Sequence, residues 1–109
     1  MAVDNRRLND LLRQKIAELV NQLVEFYNGL ITVSYVNLSG DGQEAKVGVS
    51  VLPISLYGTA LRQLRKNSAE IAKRAARASR LSKIPRIIWL IDDTAERAAD
   101  LDRVMEQVN

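Results

Sequence analysis

A chain of 109 residues, 47% of them hydrophobic, is one domain's worth of protein with enough apolar material for a core. It holds neither cysteine nor histidine, which excludes Cys/His zinc sites, thiol nucleophiles, Ser-His-Asp triads and disulfide frameworks together. The net charge of +3 conceals a segregation: residues 62–86 carry nine basic side chains against Glu70 alone, and the rest of the chain is net acidic. A field concentrated in this way points at a partner, since a merely solubilising surface mixes its signs. The opening "MAVDNRRLNDLLRQ" has charges where a signal peptide needs an apolar core. With no uninterrupted apolar run of spanning length, a soluble cytoplasmic protein is expected, with no membrane segment.

In chain order, residues 6–27 place Leu8, Leu12, Ile16, Leu19 and Leu23 on one helical stripe, with Leu11, Val20 and Val24 beside it and Gly29 as the expected stop. "LITVSYVNL" (30–38) is β-branched and aromatic and predicts a strand. "SGDGQ" follows, and its Asp41-Gly42 step predicts a hairpin turn. In "EAKVGVSVL", Ala45, Val47, Val49 and Val51 alternate with Lys46, Gly48 and Ser50, the pattern of a strand with one core face, ended by Pro53. Residues 55–80 are helical in pattern. "RIIWLID" (86–92) is a short apolar run that predicts a strand buried on both faces, with Trp89 in the core. Asp93 then stands three residues before Glu96 as a capping box. Ala98, Leu101, Met105 and Val108 form the stripe of a closing helix. The predicted order is α-β-β-α(α)-β-α in one domain, residues 1–109.

The long helical segment explains the basic cluster. Tyr57, Leu61, Leu64, Ser68, Ile71, Ala75 and Ala78 share one face, and Arg62, Lys66, Lys73, Arg77 and Arg80 share another. Ile71 and Lys73, two positions apart, stand about 200° apart around a helix, so the faces are roughly opposite. One packs on a sheet while the other turns its charges outward. Three readings compete for that face: a solvated surface, contact with RNA phosphates, and contact with an acidic protein or membrane. A membrane-lying helix wants Leu, Phe or Trp where this one has Ala and Ser. One Phe, one Trp and three Tyr leave little aromatic surface for base stacking, so an RNA contact here is a phosphate contact.

No catalytic constellation emerges. Asp92 and Asp93 read as a strand end and a helix cap before they read as a cation site. Asp41 is a turn residue. Ser50, Ser55 and Thr59 have no histidine to activate them, and Gly40-x-Gly42 is a hairpin with no helix behind it.

Two stretches, "LITVSYVNLSGDGQEAKVGVSVLP" and "IPRIIWLIDDTAERAADLDRVMEQV", together with the early arginines Arg6 and Arg7, resemble the ribosome-binding factor A family of bacterial small-subunit maturation factors. The resemblance runs over nearly the whole chain. It implies an α+β, KH-like fold of the second type, with a three-stranded sheet covered by helices, and contact with small-subunit ribosomal RNA. The family has an Ala-x-Gly kink between its two central helices, which falls here on Asn67-Ser68-Ala69, where neither the first Ala nor the Gly matches. No Gly-x-x-Gly clamp is available either, because no glycine follows Gly58. Asn67 and Ser68 compete locally for backbone hydrogen bonds, so a bend is expected there, milder than a glycine would allow. The combined expectation is a non-enzymatic, monomeric RNA-binding factor for the small ribosomal subunit, with no cofactor, metal or small-molecule substrate. Arg62, Lys66, Lys73, Arg77 and Arg80 are its first phosphate contacts, and Arg65, Arg74, Lys83 and Arg86 its second. The alternative is a protein-interaction module whose basic helix meets an acidic partner.

Overall fold

The computed structural model describes residues 5–92. Helix α1 spans Asn5–Leu23, strands β1 and β2 span Leu30–Leu38 and Glu44–Leu52, and a 3-10 turn at Ile54–Leu56 leads into α2, Tyr57–Lys66. Helix α3 spans Ser68–Ala78, and β3 spans Arg86–Ile91. The predicted closing helix and its Asp93 cap lie outside the described residues.

The sheet has the order β1-β2-β3, with β1 antiparallel and β3 parallel to the central β2. The alternation read in β2 is the core itself: Ala45, Val47, Val49 and Val51 are all at most 2% exposed. Each buried valine contributes roughly 1.5–3 kcal/mol of apolar burial. Leu12, Ile16, Leu19 and Val20 of α1 pack on this face with Ile31, Val33 and Val36 of β1 and with Leu64, Ile71 and Ala75 of α2 and α3. Helices cover one side of the sheet, as a KH-like domain of the second type requires.

β1 contains a bulge. Val33 pairs with Val49 and Tyr35 with Gly48, which leaves Ser34 as the extra residue. The bulge moves the inward phase from Ile31 and Val33 to Val36 and lays the Tyr35 ring over Gly48 on the uncovered face. A Cβ at Gly48 would sit 2.0 Å from a Tyr35 ring atom.

Four expectations need correction. First, α1 ends at Leu23 and not near residue 27. The Val24 N–H still bonds the Val20 carbonyl at 3.0 Å, after which Val24 and Phe26 turn to pack on the core. Gly29 is no helix stop: it permits a close approach, since a Cβ there would lie 2.3 Å from the Leu52 carbonyl oxygen. Second, β3 is an edge strand and not buried on both faces. Trp89 is buried, but Leu90 is 38% exposed, because helices cover only one side and β2 pairs along only one edge. Third, Tyr57 and Ala78 are exposed, and the packing face of the helical pair is Ala60 and Leu64, then Ile71, Ala72, Ala75 and Ala76. Fourth, the helical pattern read over 55–80 stops at Ala78.

The expected bend is present. Asn67 separates α2 from α3 with φ −101° and ψ 2°, and its side-chain amide donates to the Gln63 carbonyl at 2.9 Å. That bond is the local competition expected of asparagine. No residue there adopts the left-handed conformation, so a bend without glycine costs little strain.

Candidate nucleic-acid interface

The chemistry of the α2–α3 surface follows from what lies beneath it. Ala72, Ala75 and Ala76 carry so little side chain that α3 settles close on the sheet and α1, and its longer residues are left pointing away. Arg62 and Lys66 on α2, and Lys73, Arg74 and Arg77 on α3, are all exposed. The bend at Asn67 breaks what the sequence suggested was one straight basic stripe into two short ones, one on each helix.

These cations are not equivalent. Arg74 Nε bonds Glu70 Oε1 at 2.7 Å, an i,i+4 pair, and the guanidinium holds the Glu70 carboxyl below its ordinary range. Arg62 Nη2 donates to Thr59 Oγ1 at 3.3 Å. Arg86 Nη2 pairs with Glu44 Oε1 at 2.9 Å across the β2–β3 register. Lys83 Nζ donates to the Asp41 carbonyl at 3.2 Å and so belongs to the hairpin side of the molecule. Lys66, Lys73 and Arg77 make no ion pair among the described residues. They form the part of the cluster whose charge is not offset by a neighbouring carboxylate.

Arg80 lies off the helix. It has a φ of 54°, its N–H bonds the Arg77 carbonyl at 3.2 Å, and the Leu81 N–H bonds the Ala76 carbonyl at 2.9 Å. This is a Schellman cap with arginine in the left-handed position that glycine usually fills. Arg80 is exposed near the end of the basic surface, but it is not the next member of a helical row.

Asp41 is the turn residue it was expected to be. Its carboxylate accepts from Ser39 Oγ at 2.7 Å and from the Gln43 N–H at 3.1 Å, and these bonds hold its pKa below the ordinary value. Gly42, with a φ of 74°, completes the turn. Among the described residues no cluster of three or more His, Cys, Asp or Glu is arranged to hold a metal ion, and no helix is long and apolar enough to cross a membrane.

Sequence reading missed one feature. Beside the bend, Ser68, Ala69, Ala72 and Lys73 of α3 face Ile84, Pro85, Arg86 and Ile87 across an apolar groove of about 470 Å³. Its signals were the exposed Ile84, set between Lys83 and Pro85, and the pair of alanines one helical turn apart.

The ribosome-binding factor A family model matches residues 4–105. The ribosome-binding factor A of Akkermansia muciniphila is 30% identical over 103 residues, covering 94% of this chain and 82% of that one. The crystal structure of the Thermus thermophilus factor superposes with a TM-score of 0.73 at 28% identity, covering 82% of this chain and 97% of that chain. A homology model of the Thermus thermophilus factor, fitted into a cryo-electron microscopy map of a 30S–RbfA complex, has a TM-score of 0.64 at 29% identity and covers 78% of this chain and 91% of that one. The hairpin, the bent helical pair and the parallel edge strand are thus a shared architecture as well as a shared sequence pattern, and the chain belongs to the ribosome-binding factor A family.

Proposed function

We propose that this protein is a non-catalytic, monomeric, cytoplasmic factor that associates with the small ribosomal subunit or its precursor and assists maturation of the small-subunit RNA. The RNA contact would be the exposed α2–α3 surface, centred on Lys66, Lys73 and Arg77, with Arg62, Arg74 and Arg80 around them and Lys83 and Arg86 at the margin. The observation that carries this reading is a set of cations held outward by an alanine-rich packing face, three of them without an ion-pair partner among the described residues. Family membership supports it, as does the 30S complex fitted for the Thermus thermophilus relative. Contacts of this kind position a protein on phosphates without reading bases. Specificity would then come from the shape of the ribosomal site.

The test is affinity for small subunits and their RNA at several salt concentrations. Five phosphate contacts give a log–log slope of roughly −3.5 to −4.5. Lys73→Glu with Arg77→Glu should abolish most binding and flatten that slope, with the melting temperature little changed. Lys15→Glu with Lys46→Glu, on α1 and β2, serves as the control. Equal loss in both pairs would mean that net charge, and not this surface, governs binding.

A further inference from the structure

The two edges of the sheet are finished differently. At the β1 edge, the Leu38 N–H bonds Asn9 Oδ1 of α1 at 3.0 Å, so the helix satisfies an outward amide. At β3, the Arg86 and Asp92 N–H groups donate to Gln43 and Val49 of the β2 side at 2.8 and 2.7 Å. Backbone groups alternate sides along a strand, so Ile88 and Leu90 also face β2, while Ile87, Trp89 and Ile91 present N–H and C=O groups outward. Among the described residues no strand pairs with that outer edge. Proteins usually blunt such an edge with lysine, proline or a bulge. Here, apart from Arg86 at its start, the strand is apolar from Ile87 to Ile91.

The groove lies against the beginning of this edge. Ala69 and Ala72 of α3 form one wall, and Ile84, Pro85 and Ile87 form the other. A strand added outside β3 would project alternate side chains into it. Extended peptides are read in this way by an edge strand beside a helix: main-chain bonds supply affinity and the groove selects a side chain. The rim sets the charge of the occupant, because Lys73 lines the groove with no ion pair among the described residues and the surrounding α2–α3 surface is basic.

We propose that the outer edge of β3 and the adjoining groove receive an extended segment of a partner protein, alternately acidic and apolar, as a fourth strand of the sheet. The observations favour a peptide over an RNA strand in this groove. Its lining has no aromatic ring on which a base could stack, and Trp89 is buried. The outward amides recur every second residue, about 6.6 Å apart, which is the repeat of a partner strand. This site is distinct from the phosphate-facing surface, and its occupancy does not depend on that surface binding RNA.

The experiment uses the full chain, isotopically labelled, titrated with the capped peptide Ac-Glu-Ile-Glu-Val-Glu-Ile-NH2. The lysine-for-glutamate version of this peptide and a single-stranded oligouridylate are run beside it. Saturable binding of the acidic peptide should slow amide exchange at Ile87, Trp89 and Ile91 by about tenfold or more and leave Ile88 and Leu90 unchanged. Ala69→Leu, which fills the groove, and Ile87→Pro, which removes one outward amide, should each weaken binding by about tenfold. Should Ile87→Pro fail to fold, Ala69→Leu and the lysine peptide still decide the matter. Equal binding of both peptides would overturn the charge assignment and with it the proposal. The same exchange pattern induced by oligouridylate and not by the acidic peptide would make this a nucleic-acid groove. Protection that rises with protein concentration alone would identify the occupant as a second copy of the chain.

Discussion

The indole N–H of Trp89 donates to Oγ of Ser68, a bond that ties the edge strand β3 to the first turn of α3 directly after the bend. It joins residues 21 positions apart and fixes the bent helical pair relative to the strand that forms the other wall of the groove. Ser68→Ala leaves a buried indole N–H unsatisfied and is expected to cost about 1–2 kcal/mol in urea denaturation. Because Trp89 is the one tryptophan, its fluorescence reports the transition directly. An unchanged midpoint would mean that the indole finds another acceptor.

Arg80 holds a left-handed conformation that disfavours any side chain with a Cβ. Arg80→Gly should therefore raise stability by about 1 kcal/mol, and the melting temperature with it. If Arg80 also contacts RNA, the same substitution shallows the salt dependence by roughly one contact. One variant thus moves stability and affinity in opposite directions, which a general loss of structure cannot do.

The glycines near the strand ends differ in what surrounds them. Gly29→Ala sets a Cβ against the Leu52 carbonyl, a backbone atom that cannot swing aside, and should cost on the order of 1–3 kcal/mol. Gly40→Ala, with nothing within 4 Å of the added carbon, should stay within about 0.5 kcal/mol of wild type. Thermal melts of the pair decide whether close approach, and not turn conformation, is what Gly29 supplies.

Two carboxylates give the fold a dependence on acid. Ser39 and the Gln43 N–H hold the Asp41 pKa down, and Arg74 does so for Glu70. A group whose folded pKa is depressed contributes stability above its unfolded value and loses it as pH falls through the folded one. The loss should therefore begin below about pH 4. Asp41→Asn keeps an oxygen that accepts from Gln43 but removes the charge. It should leave the neutral-pH melting temperature nearly unchanged and flatten the decline between pH 5 and pH 2, to a small extent because the site is exposed.

The strands and turn were legible because their signals are local. The Val47, Val49 and Val51 alternation and the Asp41-Gly42 step depend on neighbours in sequence, and both strands of the hairpin begin and end where the pattern placed them. The bulge at Ser34 was written more faintly. Ile31 and Val33 keep one phase and Val36 the other, but a strand can absorb that slip unseen until its partner's register is known. The bend at Asn67 needed two arguments, since the apolar stripe alone ran straight through it.

What stayed hidden depends on tertiary surroundings. An apolar run such as "RIIWLI" reads the same in the middle of a sheet as at its edge, and only the strand order separates the two. The end of α1 at Leu23 and the role of Gly29 are set by the approach of Leu52 from another strand. At the candidate interface the nine cations could be counted from sequence. Which of them are offset by Glu70 or Glu44, and that Arg80 is a cap, required the folded chain. The groove could not be foreseen, because its two walls are separated by the remainder of α3 and the turn after it.

The parallel pairing of β2 with β3 has a kinetic consequence. Leu38 and Ala45 meet across a short turn, whereas the register partners Glu44 and Arg86 lie 42 positions apart with both central helices between them. Closing the second contact costs more chain entropy, so the hairpin can form early while the sheet is completed late. During synthesis, at about 5–20 residues per second, α1 and the hairpin are available before β3 has been made. Through that interval the strand carrying Val47 and Val49 exposes one unpaired edge, and its valines await Trp89. The nascent chain is then vulnerable to pairing with the wrong strand, and the last described element to leave the ribosome is the one that ends the exposure.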